Sequence, residues 1–236
     1  MINMINRPIN RYYLSMNDKI FSFIVNAYYD PQSNSIYIPT SILDNIFIDT
    51  NKDPIYNYGS LGSIIGHEMM HCFDNYGALF DHRGHLHNWW IPKDYQKFNR
   101  EIEKVNNHYS MISINNIKLN YNFYTSENIA DIVGLKLSFR TYIKNFMPHT
   151  IYNKNYKFTS SEKKHLKKFF QRWAQTMRSL EDSEFLEHAV EFDEHAPSTV
   201  RINAPFSHLN EYYEIFGVNS IHKNYLQPNS RIKFLD

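Results

Sequence analysis

This 236-residue sequence predicts a helix-rich α+β fold with a small mixed sheet, and three features carry that reading. Several segments repeat their apolar residues at i, i+3, i+4 and i+7. One β-branched and aromatic run is followed, across a turn, by a short alternating run. No internal repeat, low-complexity linker or charge block separates these segments, so one folding unit is expected.

The strands come first. Phe21 to Tyr29 is β-branched and aromatic, Asp30-Pro31-Gln32-Ser33-Asn34 is a turn signal, and Ile36-Tyr37-Ile38 resumes the extended pattern. After Gly59-Ser60, helical spacing runs through Phe73, with Gly77 placed for a helix C-cap. The Gly-, His-, Trp- and Pro-rich stretch from Tyr76 to Asp94 should be irregular, turning at Asp81-His82-Arg83-Gly84. Helices are then expected over 94–109, from Thr125 or Ser126 to about Tyr142, and from Ser160 or Ser161 through Leu166, Phe169, Phe170, Trp173 and Met177. Ser207 opens a last helix that ends before Gly217.

Composition sets outer bounds on function. Hydrophobic residues make up 42% of the chain and charged residues 21%, which supplies a core and excludes a disordered tail. A formal charge of +1 gives no net pull toward phosphate backbones, so nucleic acid is not an expected partner. Cys72 is the single cysteine, which excludes both an internal disulfide and a cysteine-based zinc finger. The first ten residues lack the apolar core of a signal peptide, and no run of about 18 apolar residues encodes a membrane span. The expected location is therefore the cytoplasm, or a leaderless route. The heavy Asn and Ile usage suits an AT-rich genome, that of a virus or of a reduced-genome bacterium; for a virus, the cytoplasm is the host's.

The chemistry is concentrated in Gly66-His67-Glu68-Met69-Met70-His71, an H-E-x-x-H on a predicted helix. Residues four apart on a helix lie about 40° apart in projection, so two imidazoles can converge on one tetrahedral ion. Glu68, beside a ligand, can act as general base toward a water while the metal polarises a carbonyl. A catalytic zinc normally has three protein ligands. Glu127, in Glu127-Asn128-Ile129-Ala130-Asp131 on a later predicted helix, can supply the third, and Asp131 can accept the outer N–H of a ligand histidine. His82, His85 and His87 read as surface residues, and Trp89-Trp90 as core packing.

With these residues in view, the sequence resembles the neprilysin and endothelin-converting-enzyme family of zinc metallopeptidases. Five blocks agree in order: Val25 to Tyr29 with Asn34, Ile36 and Pro39; Gly66 to Asp74 with Gly77, Asp81, Gly84 and Trp89-Trp90; Glu127 to Asp131 with Gly134; Phe169-Phe170 with Trp173-Ala174; and His195-Ala196-Pro197 with Arg201-Ile202-Asn203. The resemblance implies a thermolysin-like zincin (gluzincin) catalytic domain over 1–236, with 1–19 and 218–236 as divergent ends. It implies one zinc per chain on His67, His71 and Glu127, with Glu68 as base and Asp131 orienting a ligand. His195 matches the donor to the tetrahedral oxyanion, and Asp193 the carboxylate that holds it. Arg201 matches the arginine on the substrate carbonyl, and Asn26 and Ala27 the edge strand that pairs with an extended peptide.

The implied activity is zinc-dependent endopeptidase or oligopeptidase cleavage on the N-terminal side of large apolar residues, in peptides or unfolded polypeptides. Family members are several hundred residues longer and have a second, mostly helical domain over the site. The sequence shows no counterpart to it, so the expectation is a catalytic domain alone with an open cleft and reduced efficiency, a lid from a partner subunit being the alternative. The rival expectation is an inactive, truncated relic that serves as a peptide-binding or decoy module.

Overall fold

The computed structural model describes residues 25–44, 46–114, 117–119, 121, 123–150 and 156–234. The first part of the expected opening strand, residues 21–24, lies outside them. Strand β1 (Tyr28–Asp30) pairs antiparallel with β2 (Ser35–Tyr37), Tyr28 opposite Tyr37, and their rings stack at 4.6 Å. Asp30 accepts the backbone N–H groups of Gln32 and Ser33 and so closes the turn between the strands. A second hairpin joins β3 (Ser113–Ile114) to β4 (Ile117–Lys118). The sheet among the described residues is thus two small antiparallel hairpins.

The helical part begins with α1 (Pro54–Asn57), where Asp53 caps the Ile55 N–H and Pro54 takes the first position. A turn of π-helix (Tyr58–Gly62) leads into α2 (Ser63–Met70). The helix ends three residues before the expected Phe73 because Asp74 accepts the N–H groups of Tyr76 and Gly77, an alternative to helical continuation. Gly77 is also not a helix C-cap. It is required because a Cβ there would stand 1.8 Å from the His71 carbonyl oxygen.

Next come α3 (Pro92–Tyr109), started by Pro92, and α4 (Thr125–Phe146). Helix α5 (Ser160–Thr176) opens with a reciprocal capping box between Thr159 and Glu162. Two helices without a sequence expectation follow, α6 (Ser183–Phe192) and α7 (Ser198–Asn203). The last helix, α8 (Asn210–Phe216), starts later than Ser207, since Pro205–His208 forms a 3₁₀ turn; it ends at the left-handed Gly217.

Helix α4 is the central element. Ile129, Ile132 and Leu135 are fully buried and Phe139 nearly so, because α4 lies between two apolar clusters. One gathers Val105, Tyr109, Tyr124 and Ile232 around its first half. The other gathers Leu166, Phe169, Phe170 and Trp173 around its second. Helix α2 lies directly on α4, glycine against glycine: a Cβ on Gly66 would sit 2.8 Å from the Gly134 carbonyl oxygen, and one on Gly134 would sit 2.5 Å from the His67 nitrogen. This backbone contact is what brings His67 alongside the first turns of α4. No helix among the described residues is long and apolar enough to cross a membrane.

The loop between α2 and α3 differs from expectation in one respect. Trp89 is 40% exposed rather than core. The Trp89 and Trp90 rings stack at 4.5 Å, and their indole N–H groups donate to the Phe80 and Ala78 carbonyls, so the pair pins the loop to itself. His82, His85 and His87 are exposed, as expected.

Candidate metal and catalytic centre

Helix α2 presents His67 and His71 one turn apart, and α4 presents Glu127 from its first turn. The two imidazole Nε2 atoms lie 3.0 Å apart. Glu127 Oε2 is 3.1 Å from His67 Nε2, and Glu127 Oε1 is 3.5 Å from His71 Nε2. Ligand atoms on a tetrahedral ion with bonds of 2.0–2.1 Å are separated by about 3.3 Å. The three groups therefore stand at the spacing of one face of such a tetrahedron.

The outer nitrogens decide how the inner ones are used. His67 Nδ1 lies 2.8 Å from Asp131 Oδ1, and His71 Nδ1 lies 2.7 Å from Asp74 Oδ2. A carboxylate behind Nδ1 draws the ring proton there, leaving Nε2 as a lone pair. Two lone pairs 3.0 Å apart repel each other unless a cation lies between them. Glu127 Oε2 is buried against the same point without an aligned hydrogen-bond donor. The donor set thus fits a bound cation, and two imidazoles with one carboxylate are a zinc-type set.

The surrounding charges favour a positive charge at this point, which a bound cation would supply in place of a proton on His67. Burial alone would lower the His67 pKa, but Asp131 and Glu127 outweigh it and hold the ring at about 10. Burial likewise acts to raise Glu127, yet the neighbouring His195 and His67 imidazoles bring it far below the usual carboxylate range. Asp131, buried to 1% exposure, is held down at about 2 by Arg201 and His67 against its desolvation. Glu68 moves the other way: burial raises its pKa, with the nearby His67 and His71 acting in opposition.

His195 enters the same space from the loop ahead of α7. Its Nε2 is 3.0 Å from Glu127 Oε2, and the metal-capable atoms of His67, Glu127 and His195 lie within 4.8 Å of one another. Asp193 holds it from behind, accepting both the His195 backbone N–H at 2.8 Å and Nδ1 at 3.0 Å. Arg201, on α7, makes a two-pronged contact with Asp131, Nε to Oδ2 and Nη2 to Oδ1, both 2.8 Å. The Trp173 indole donates to the Arg201 carbonyl and fixes α7 against α5. Asn26 and Ala27 line the cleft but immediately precede the paired part of β1, and the Asn26 side chain accepts the Ala27 N–H.

The cleft holding these groups has a volume of about 750 Å³. Every site residue expected from the sequence except Asp131 and Asp193 lines it, and those two stand directly behind lining histidines. A family model described as peptidase family M13 matches residues 26–232. The chain belongs to peptidase family M13.

Individual relatives agree with that membership. A zinc metalloproteinase of Acanthamoeba polyphaga mimivirus is 39% identical over all of this chain and 36% of its own length. A neutral endopeptidase of Lactococcus lactis is 34% identical over 89% of this chain and 31% of its own. Among solved structures, PepO from Lactobacillus rhamnosis superimposes with a TM-score of 0.78 at 30% identity, covering 89% of this chain and 31% of that one. The zinc metalloprotease Zmp1 of Mycobacterium tuberculosis, in complex with an inhibitor, gives 0.81 at 28% identity, covering 91% and 33%. The chain spans about a third of the length of the M13 relatives it matches.

Two groups in the centre had no role in the sequence reading. Asp74 is 2% exposed and accepts from His71, from two backbone N–H groups and from the Ser126 hydroxyl. Its signal was present, a carboxylate three residues after the second histidine, but only the end of α2 turns it back under the ring. Ser126, next to Glu127, had no signal at all.

Proposed function

We propose that this chain carries the peptide-hydrolysing centre of a zinc metallopeptidase. The observation that carries the reading is the convergence of His67 Nε2, His71 Nε2 and the Glu127 carboxylate, with a carboxylate behind each ring, in a cleft of about 750 Å³. His67, His71 and Glu127 would hold one zinc per chain. When bound, that ion supplies Lewis-acid polarisation of the scissile carbonyl and lowers the pKa of water.

The remaining groups do the rest of the chemistry. Glu68, raised by burial, takes the proton of the attacking water and returns it to the leaving amine. His195, oriented by Asp193, donates to the developing oxyanion. Arg201 has Nη1 left for a substrate carbonyl after its two bonds to Asp131, and Asn26 and Ala27 offer backbone at the edge of β1. Ile42, Phe47, Ile64 and Met177 form an apolar pit at one end of the cleft, which suits a large apolar side chain just after the scissile bond. Substrates on this reading are peptides or unfolded chains, and a cover over the cleft would come from further polypeptide or a partner subunit.

The test is zinc content combined with hydrolysis of a mixed peptide pool. The chain should bind one zinc, and Glu68→Gln should keep it while cleavage disappears. Loss of zinc in that variant would reject Glu68 as a base. Zinc retained without cleavage in the unmodified chain would favour a peptide-binding module.

A further inference from the structure

The cleft has two unlike ends. Its lining includes Ile64, three residues before His67 on α2, and there it is a buried pit, with Ile42 2% and Ile64 9% exposed. Beyond His71 the chain turns on Asp74, and the wall is continued by Tyr76 and by Phe123 from the segment leading into α4. Here the apolar surface is open: Tyr76 is 58% and Phe123 41% exposed.

Both rings are nevertheless held. The Tyr76 N–H donates to Asp74 at 2.8 Å, and its ring meets Phe80 edge-on at 5.6 Å. The Phe123 ring meets Tyr124 edge-on at 5.6 Å, and Tyr124 is fully buried with its hydroxyl on the Val190 carbonyl. Tyr76 and Phe123 line one cleft with each ring braced by a neighbouring aromatic, which lowers the ordering needed when a third apolar group arrives there.

We propose that Tyr76 and Phe123 form a second side-chain subsite, taking an aromatic or large apolar residue on the amino side of the scissile bond. The proposal rests on the peptidase reading above. Its spacing follows from the fold. Ile64 and His71 are seven helical residues apart, about 10 Å. An extended peptide rises about 3.3 Å per residue, so roughly three residues separate the pit from the aromatic end. With the residue after the scissile bond in the pit, three residue rises bring the third residue before that bond to the subsite.

Binding to the zinc-loaded Glu68→Gln chain tests this without turnover. Two labelled peptides are compared by fluorescence polarisation, both with Leu just after the scissile bond and with either Phe or Gly as the third residue before it. The Phe peptide should bind about three- to ten-fold more tightly, the range expected for one aromatic contact. Adding Tyr76→Ser and Phe123→Ser should abolish that preference and leave affinity for the Gly peptide unchanged. Tyr76→Phe with Phe123→Leu should retain it, and equal zinc content in every variant checks that each is folded. Equal binding of the two peptides by the parent, or a preference that survives the serine changes, would overturn the subsite alone. Binding of neither peptide would overturn the peptidase reading and the subsite with it.

Discussion

The molecule contains two close histidine pairs that look alike by distance and behave oppositely. His67 and His71 approach to 3.0 Å between nitrogens, with ring centroids 4.6 Å apart. His108 and His208 also approach to 3.0 Å, with centroids 5.0 Å apart. In the second pair the Ile232 N–H donates to His208 Nδ1. That places the His208 proton on Nε2, from which it is donated to His108 Nδ1, and every nitrogen between the rings is satisfied without a cation. In the first pair Asp131 and Asp74 draw both protons outward. Proximity of imidazoles alone therefore does not fit a pair to a cation; a carboxylate behind each ring turns both inner nitrogens toward a shared third donor, Glu127.

The surrounding charges widen the contrast. Burial lowers His108 to about 4, and burial together with His108, Lys136, Arg231 and Lys104 pushes His208 well down, whereas His67 is held at about 10. One pocket favours two neutral rings. The other favours a positive charge.

Removing the carboxylate that Arg201 and His67 share should break the contrast most severely. Asp131→Ala leaves a buried guanidinium without its partner and His67 without its orienting acceptor. The first loss is expected to cost on the order of 3 kcal/mol in stability. The second should weaken zinc binding by about 10- to 100-fold. Urea denaturation and chelator competition measure the two losses separately. Unchanged zinc affinity in a destabilised variant would mean that Asp131 serves only to anchor α7.

How much of this was legible in the sequence depended on whether the contact was local. His67 and His71 are four residues apart, and Glu127 and Asp131 likewise, so helical periodicity alone set each pair on one face. The apolar repeat from Leu166 to Trp173 identified α5 in the same way. The fork from Arg201 to Asp131 spans 70 residues and the Ser126–Asp74 bond spans 52. No local period encodes either: the first depends on α7 being held against α5 through the Trp173–Arg201 bond, and the second on α2 and α4 meeting at Gly66 and Gly134. Helix α7, six residues long, is too short to show a period of its own, whereas α6 carries an amphipathic repeat, Leu186, Ala189, Val190, that the sequence offered.

A smaller effect separates the pairs by pH. Between pH 6.5 and 4 the unfolded chain protonates the His108 side chain while the folded chain, with its pKa near 4, does not. Stability from this group is thus complete above pH 6.5 and is lost as pH falls toward 4. A difference of 2.5 pKa units corresponds to roughly 3 kcal/mol over that window, or about 1.4 kcal/mol per pH unit. His108→Gln preserves an acceptor for His208 and removes the titrating ring. Its stability, followed by urea titration at several pH values, should fall less steeply than that of the unmodified chain. Parallel slopes would show that His108 is solvated in both states.

The smallest expected effect lies in the other carboxylate. Asp74 differs from Asp131 in having no cationic partner: it is held by two backbone N–H groups and the Ser126 hydroxyl, with His71 as its fourth donor. Ser126→Ala removes one hydrogen bond to a carboxylate, which solvent at the partly exposed site replaces, and leaves the two backbone donors in place. Asp74 should therefore keep its position while losing some of its rigidity, and zinc affinity should fall by only a few fold, against the 10- to 100-fold loss for Asp131→Ala. Thermal stability should barely change, because Ser126 is partly exposed at the cleft wall. Ser126→Thr retains a hydroxyl and should restore the affinity. If Ser126→Ala instead matched Asp131→Ala, the hydroxyl would be setting the position of Glu127 along α4, and the two histidine clamps would be coupled through that helix rather than independent.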